Sequence, residues 1–263
     1  MPNIQERIIT ERVGKRDMQA IIMAAGKGSR LGKLTENKPK SFAEIRGIKL
    51  LEYNIALLHA NGIKDILLVT GYKNEMMEEL AKGIQGVKCI YNPFYEMVNV
   101  LGSFYIAQEY LKGDFVYLHA DTLCAPEIFA NMLQNDGDIV LPVEFKLCDE
   151  EAMKVKTENE QLVEISKQIP CHEAEGEFIG IAKIREKVLP DLRTAAKKLM
   201  KEKQFMSYFE GALQELADQK KYNIKTFSTE KYFWGEVDFP EDYVRVCELI
   251  PENLIKIAEK EWK

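Results

Sequence analysis

The strongest chemical signal in the chain is a glycine pair, then an arginine, then a proline–lysine step. Ala24, Ala25, Gly26, Lys27, Gly28, Ser29, Arg30 and Leu31 close the apolar run Gln19–Ala25, and Thr35, Lys38, Pro39 and Lys40 follow. Glycines at the end of a buried strand let backbone N–H groups approach a polyphosphate, and Arg30 and Lys40 supply positive charge to it. Spacing excludes two other phosphate loops. A dinucleotide fingerprint needs a third glycine where Leu31 stands, and a P-loop ending at Gly32-Lys33 needs one where Lys27 stands.

Two aspartates raise the question of a metal. Asp121 follows the apolar run Phe115–Ala120, and Asp238 ends Trp234-Gly235-Glu236-Val237-Asp238. Magnesium favours one or two carboxylates supplemented by phosphate oxygens and water, a preference that Asp121 and Asp238 fit, although an aspartate at a strand end also serves as a turn residue. Thr70-Gly71-Tyr72 reads as a turn that either leaves Tyr72 beside a base or keeps it as a surface tyrosine. Asn99 and Ser103 stand at a helix start, where an amide and a hydroxyl either read a pyrimidine or ribose or cap the helix; both readings stay open. His59, His119 and His172 form no constellation, and His119 is expected in the core.

These residues need strand ends to hold them. Short apolar runs at Gln19–Ala25, Ile66–Thr70, Val87–Tyr91, Phe115–Ala120 and Ile139–Val143 alternate with helical patterns at Leu50–Asn61, Asn74–Lys82, Val100–Leu111 and Pro126–Leu133. That alternation predicts an α/β fold with a mostly parallel central sheet flanked by helices, and ligands beyond the C-terminal strand ends. Past residue 145 the pattern changes. Strands at Met153–Lys156, Leu162–Ser166 and Phe178–Ile184 and helices at Glu186–Lys201 and Phe205–Gln219 predict a smaller antiparallel lid. Strand Ile224–Phe227, a turn through Trp234–Asp238 and a helix from Pro240 follow. Residues 18–263 are expected as one domain, 18–145 binding nucleotide and 146–263 the second substrate, after a flexible lead-in at 1–17.

Composition narrows the class. With 263 residues the chain can bury a substantial core. Its net charge of −6 argues against nucleic acid as a partner, and no apolar run reaches the ~20 residues of a membrane span. Five scattered cysteines without a C-x-x-C pair point to reduced packing thiols in the cytoplasm rather than zinc.

The segment from Ala24 to Lys40 resembles the start of the nucleotide-diphospho-sugar pyrophosphorylase superfamily, A-A-G-x-G-x-R-[LM] followed by x-P-K. The likeness runs from about Met18 to Tyr243. It is nearest to the small CTP-dependent cytidylyltransferases that act on phosphocholine, 2-aminoethylphosphonate or inositol phosphate. The resemblance implies a Rossmann-like nucleotidyltransferase fold and transfer of CMP from CTP to a small phosphorylated or phosphonylated metabolite. It also implies that Gly26 to Arg30 wrap the triphosphate and that Lys40 meets the phosphates at the reacting centre. Tyr72 would border the base, with Asn92, Asn99, Ser103 and Ala120 on the nucleotide. Asp121 and Asp238 would hold the metal, and Lys167 would reach the acceptor's phosphate. Relatives often carry two adjacent asparagines where this chain has Asn99-Val100, so the second contact is absent.

The acceptor is expected between the halves, against Phe178, Tyr208, Glu210 and Trp234 with Asp149 to Glu151, because aromatics with carboxylates suit a cationic head. Phe205–Leu216 also reads as an amphipathic helix whose aromatics face the core. An acceptor phosphate is anionic at pH 7, so no histidine base is required. A homodimer is compatible with all this. Two rival readings are a sugar-1-phosphate uridylyl- or thymidylyltransferase and a non-catalytic nucleotide-binding subunit. Arg30, Lys40 and both aspartates weigh against the latter.

Overall fold

The computed structural model describes residues 18–263; the expected lead-in at 1–17 lies outside them. Strand β1 (Gln19–Ala24) runs through the centre, with its side chains divided between two cores. Ala20, Ile22 and Ala24 face one and Ile21 and Met23 the other, the period of two that a strand covered on both faces must show. The runs expected as strands become β4 (Asp65–Thr70), β5 (Val87–Tyr91), β6 (Phe115–His119) and β8 (Ile139–Glu144). β2 (Glu44–Ile45) and β3 (Ile48–Lys49) form a small hairpin. On one face lie α1 (Leu50–Ala60), α2 (Asn74–Lys82) and α4 (Pro126–Gln134); α3 (Val100–Ala107) covers the other.

β4 and β6 flank β1 in parallel, and β5 pairs in parallel with β4. The strands expected in a separate lid instead continue the same sheet. β9 (Lys154–Glu158), β10 (Gln161–Ser166), β11 (Gly176–Phe178), β12 (Ile181–Ile184) and β13 (Ile224–Ser228) complete a ten-stranded order β11-β9-β10-β13-β8-β12-β6-β1-β4-β5. β12 joins the halves, antiparallel to both β6 and β8. β11 pairs with β8 as well as β9, so β8, β11, β9, β10 and β13 close into a ring.

Four segments depart from their expected bounds. The run Phe178–Ile184 breaks at Gly180, whose φ of +77° is left-handed backbone and whose Cβ, if present, would lie 2.8 Å from His119 Nδ1. The helix at Val100 is α-helical only to Ala107, then tightens to a 3₁₀ turn at Gln108–Tyr110. α5 (Leu189–Lys201) matches, but α6 begins at Phe209 and ends at Asp218, because Asn99 N–H binds the Phe205 carbonyl and holds residues 205–207 out of the helix. The C-terminal helix divides at Pro251 into α7 (Pro240–Leu249) and α8 (Glu252–Trp262).

The expected turn at Trp234–Asp238 is largely a strand. β14 (Trp234–Glu236) pairs antiparallel with β7 (Thr122–Cys124), Glu236 opposite Thr122, and Val237 N–H donates to the Asp121 carbonyl at 3.1 Å. This joint brings two distant stretches of chain together beside β6.

Candidate active site

The C-terminal ends of β1 and β6 open onto a cleft of about 650 Å3 that both halves line. Its floor begins at the glycine loop. Gly28 has a φ of +67°, and a Cβ there would lie 2.5 Å from Lys40 Cβ, so only glycine leaves that lysine its place. The loop is tied down by Thr35 Oγ1, which donates to the Gly28 carbonyl at 2.8 Å. Ala25, Gly26, Gly28, Ser29 and Arg30 line the cleft; Ala24 is buried behind them and Lys27 projects to solvent.

Lys40 is the electrostatic centre. Its side chain is only 12 % exposed, with Nζ 2.5 Å from Asp121 Oδ2 and also hydrogen-bonded to Asp238 Oδ1. Burial works against its charge, but Asp121 and Asp238 outweigh burial and hold its pKa above the ordinary lysine value. The same contact acts on Asp121: burial pushes its carboxyl up, and Lys40 pulls it net below the usual carboxylate range. Arg30 reaches Asp238 Oδ2 at 3.5 Å and Glu151 Oε2 at 3.9 Å, with its guanidinium over the Phe239 ring at 5.3 Å. The two aspartates thus converge on one cation, with a second beside it.

Glu236 stands on the same strand face as Trp234 and Asp238. Burial, then Asp121 and Asp238, push its carboxyl up to about 8. His119 also lines the cleft, contrary to its expected core position, with Nε2 2.7 Å from the Tyr117 hydroxyl. Ligand atoms of His119, Asp121 and Glu236 lie within 4.8 Å of one another. A donor set of two or three carboxylates, one imidazole and open space suits a divalent cation.

The nucleotide-side residues divide. Asn99 and Ser103 line the cleft, but Asn99 Oδ1 accepts the Val100 N–H at 2.8 Å and its Nδ2 donates to the Met206 carbonyl at 3.2 Å. Capping is therefore what Asn99 does here. Asn92 is fully buried: its Nδ2 donates to Ser103 Oγ at 2.9 Å and its Oδ1 accepts the Phe94 N–H at 2.8 Å. These bonds fix the chain leading to α3, and Asn92 is not among the residues that line the cleft. Ala120 is buried, its carbonyl accepting from Asn54 Nδ2 at 3.3 Å. Tyr72 is not among the residues that line the cleft; the Lys27 and Lys73 ammonium groups lie 5.6 and 5.9 Å from its ring, and its neighbour Tyr95 does line the cleft. Gly71 permits this arrangement, since a Cβ there would lie 2.6 Å from both the Ala25 carbonyl and Tyr95 Cβ.

Of the residues expected at the acceptor, Lys167, Phe178, Tyr208, Glu210 and Trp234 all line the cleft, as do Asp149 and Glu151. Phe178 and Glu210 are buried, and Tyr208 and Trp234 keep part of their surface exposed. Burial raises the Glu210 carboxyl above the usual range, and its Oε2 has no hydrogen-bond partner among the described residues. Lys146, which spacing did not single out, extends over Trp234. No helix among the described residues is long and apolar enough to cross a membrane.

Comparison with known proteins fits this geometry. Residues 20–206 match the model of the MobA-like NTP transferase domain. The CTP:phosphoglutamine cytidylyltransferase of Campylobacter jejuni is 25 % identical over 247 residues, 86 % of this chain and 97 % of that protein. The choline-phosphate cytidylyltransferase of Streptococcus pneumoniae is 39 % identical over 119 residues, 45 % of this chain and 49 % of that protein. Among solved structures, the inositol-1-phosphate CTP transferase from T. maritima superposes with a TM-score of 0.72 at 23 % identity, covering 94 % of this chain and 97 % of that one. The CTP:phosphocholine cytidylyltransferase from Streptococcus pneumoniae gives 0.75 at 24 %, covering 90 % and 100 %. With a glycine loop, a lysine between two aspartates and a family model spanning most of its length, the chain belongs to the MobA-like NTP transferase family of nucleotidyltransferases.

Proposed function

We propose that the protein transfers CMP from CTP to a small phosphorylated or phosphonylated acceptor and releases pyrophosphate. The observation that carries this reading is Lys40, seated between Asp121 and Asp238 at the mouth of the glycine loop. Relatives named as cytidylyltransferases of phosphoglutamine and choline phosphate support the choice of nucleotide and the class of acceptor.

In this reading an acceptor oxygen attacks the α-phosphorus in line, a new P–O bond forms, and the bond to pyrophosphate breaks. The reaction brings anions together, so the protein's task is positioning and charge neutralisation. The Gly26–Gly28 backbone N–H groups and Arg30 hold the departing pyrophosphate. Lys40 offsets charge at the α-phosphate, and Lys167 orients the acceptor's phosphate. Asp121 and Asp238 fit Mg2+, since they already converge on a cation, and the bound ion supplies charge neutralisation at the phosphates. The acceptor's head faces Phe178, Tyr208, Glu210 and Trp234, and a phosphorylated or phosphonylated amine of the phosphocholine or 2-aminoethylphosphonate type is the class of acceptor.

Pyrophosphate release with Mg2+ tests the reading, crossing the four nucleoside triphosphates with these acceptors, phosphoethanolamine, inositol phosphate and glucose-1-phosphate. The expected result is CTP-dependent release with a small acceptor, reduced by about 10³-fold or more in Asp121→Ala. Release only with UTP or dTTP and glucose-1-phosphate would overturn both the nucleotide and the acceptor.

A further inference from the structure

The two aromatic faces best placed to receive a cationic head are already covered by the chain's own cations. Lys146 Nζ lies 5.1 Å from the Trp234 ring centroid, and Lys167 Nζ lies 5.1 Å from that of Tyr208. Lys146 is anchored there. Its Nζ is 2.5 Å from Glu144 Oε2 and 2.9 Å from Glu177 Oε2, and these glutamates sit opposite each other on β8 and β11. A trimethylammonium group on that face of Trp234 would have to displace Lys146 from its two carboxylates and could donate a hydrogen bond to neither. An ammonium has three donors, and the glutamates take two, so one remains for an oxygen of a ligand.

A second feature points the same way. Glu210 is 2 % exposed and lines the same cleft, yet its Oε2 has no partner among the described residues. A buried carboxylate oxygen without a donor is costly, and a primary ammonium supplies N–H donors that a quaternary one lacks. One site therefore offers a donor to an oxygen and the other an acceptor to an amine.

Resting on the reading that this cleft takes a small phosphorylated acceptor, we propose that the acceptor's far end is amino-acid-like. Its primary ammonium meets Glu210, its carboxylate or carboxamide oxygen meets Lys146, and Lys146 determines specificity against quaternary amines.

The test measures kcat and KM for CTP-dependent pyrophosphate release with O-phosphoserine, phosphoethanolamine and phosphocholine, in the wild type, Lys146→Met and Lys146→Arg. The expected kcat/KM order is O-phosphoserine, phosphoethanolamine, phosphocholine, with at least about tenfold between first and last. Lys146→Met should raise KM for O-phosphoserine about tenfold with kcat little changed and raise kcat/KM for phosphocholine, while Lys146→Arg keeps the wild-type order. Phosphocholine equal to or better than O-phosphoserine in the wild type overturns the inference and leaves cytidylyl transfer standing. An unchanged ratio in Lys146→Met overturns it too. Release with none of the three also overturns it, and calorimetric binding of CTP then decides separately whether the nucleotide reading survives.

Discussion

At the scale of the residue, Lys40 has two duties that a substitution would separate. It counters two carboxylates in the cleft, and in the proposed reaction it meets phosphate. Lys40→Met leaves Asp121, Asp238 and Glu236 facing one another without the ammonium. Removing one partner of a fully buried pair costs about 3–5 kcal/mol. Asp238 keeps 33 % of its side-chain exposure, so about 2 kcal/mol is the better expectation here. Thermal melts of Lys40→Met should therefore fall below wild type, and added Mg2+ should raise its midpoint more than it raises the wild type's. Equal Mg2+ responses would show that the carboxylates do not share one cation site. The lysine was legible from its place after Pro39, but its two partners were not joined to it by any local spacing. Glu236 and His119 were legible in principle: each stands two residues before an aspartate, and a period of two puts such residues on one strand face.

At the scale of the element, the strands of the first half were readable because β1, β4, β6 and β8 are short apolar runs largely buried on both faces, and even the half-exposed edge strand β5 keeps an apolar run. The second half was harder, because its boundaries depend on long-range contacts. Nothing in Trp234–Asp238 announces a strand until Thr122–Cys124 is set beside it. Similarly, Asn99 drawing residues 205–207 out of α6 is a contact across more than a hundred residues. Asp138 shows how such a joint is held at the start of β8. Its Oδ1 is 2.7 Å from Lys187 Nζ, and its Oδ2 accepts the Asn223 N–H at 3.1 Å. Burial raises its carboxyl, but these donors outweigh burial and leave it below the ordinary value of 3.8. A carboxylate depressed in the folded state adds stability that is complete above its unfolded pKa and is lost as pH falls through the folded one. Melting midpoints should thus drop more steeply below about pH 4 in the wild type than in Asp138→Asn. Parallel curves for the two proteins would remove Asp138 from the acid response.

At the scale of the whole molecule, β12 fastens residues 146–263 to residues 18–145 through β6, and the ring of β8, β11, β9, β10 and β13 leaves the later half little freedom to move as a flap. We expect residues 18–263 to unfold as one unit, with far-UV circular dichroism and tryptophan fluorescence giving coincident midpoints. Two separated transitions would show that the halves fold independently. The pairing of β7 with β14 has a consequence for how the protein comes into being. The glycine loop, Lys40 and Asp121 are all made well before Asp238 and the strand that seats it, which follow Asp121 by more than a hundred residues. A nascent or clipped chain that stops short of Trp234 carries the phosphate loop without its second aspartate. In the proposed reaction such a chain would lack one of the two carboxylates beside Lys40, and only a chain carried past Asp238 would transfer nucleotide.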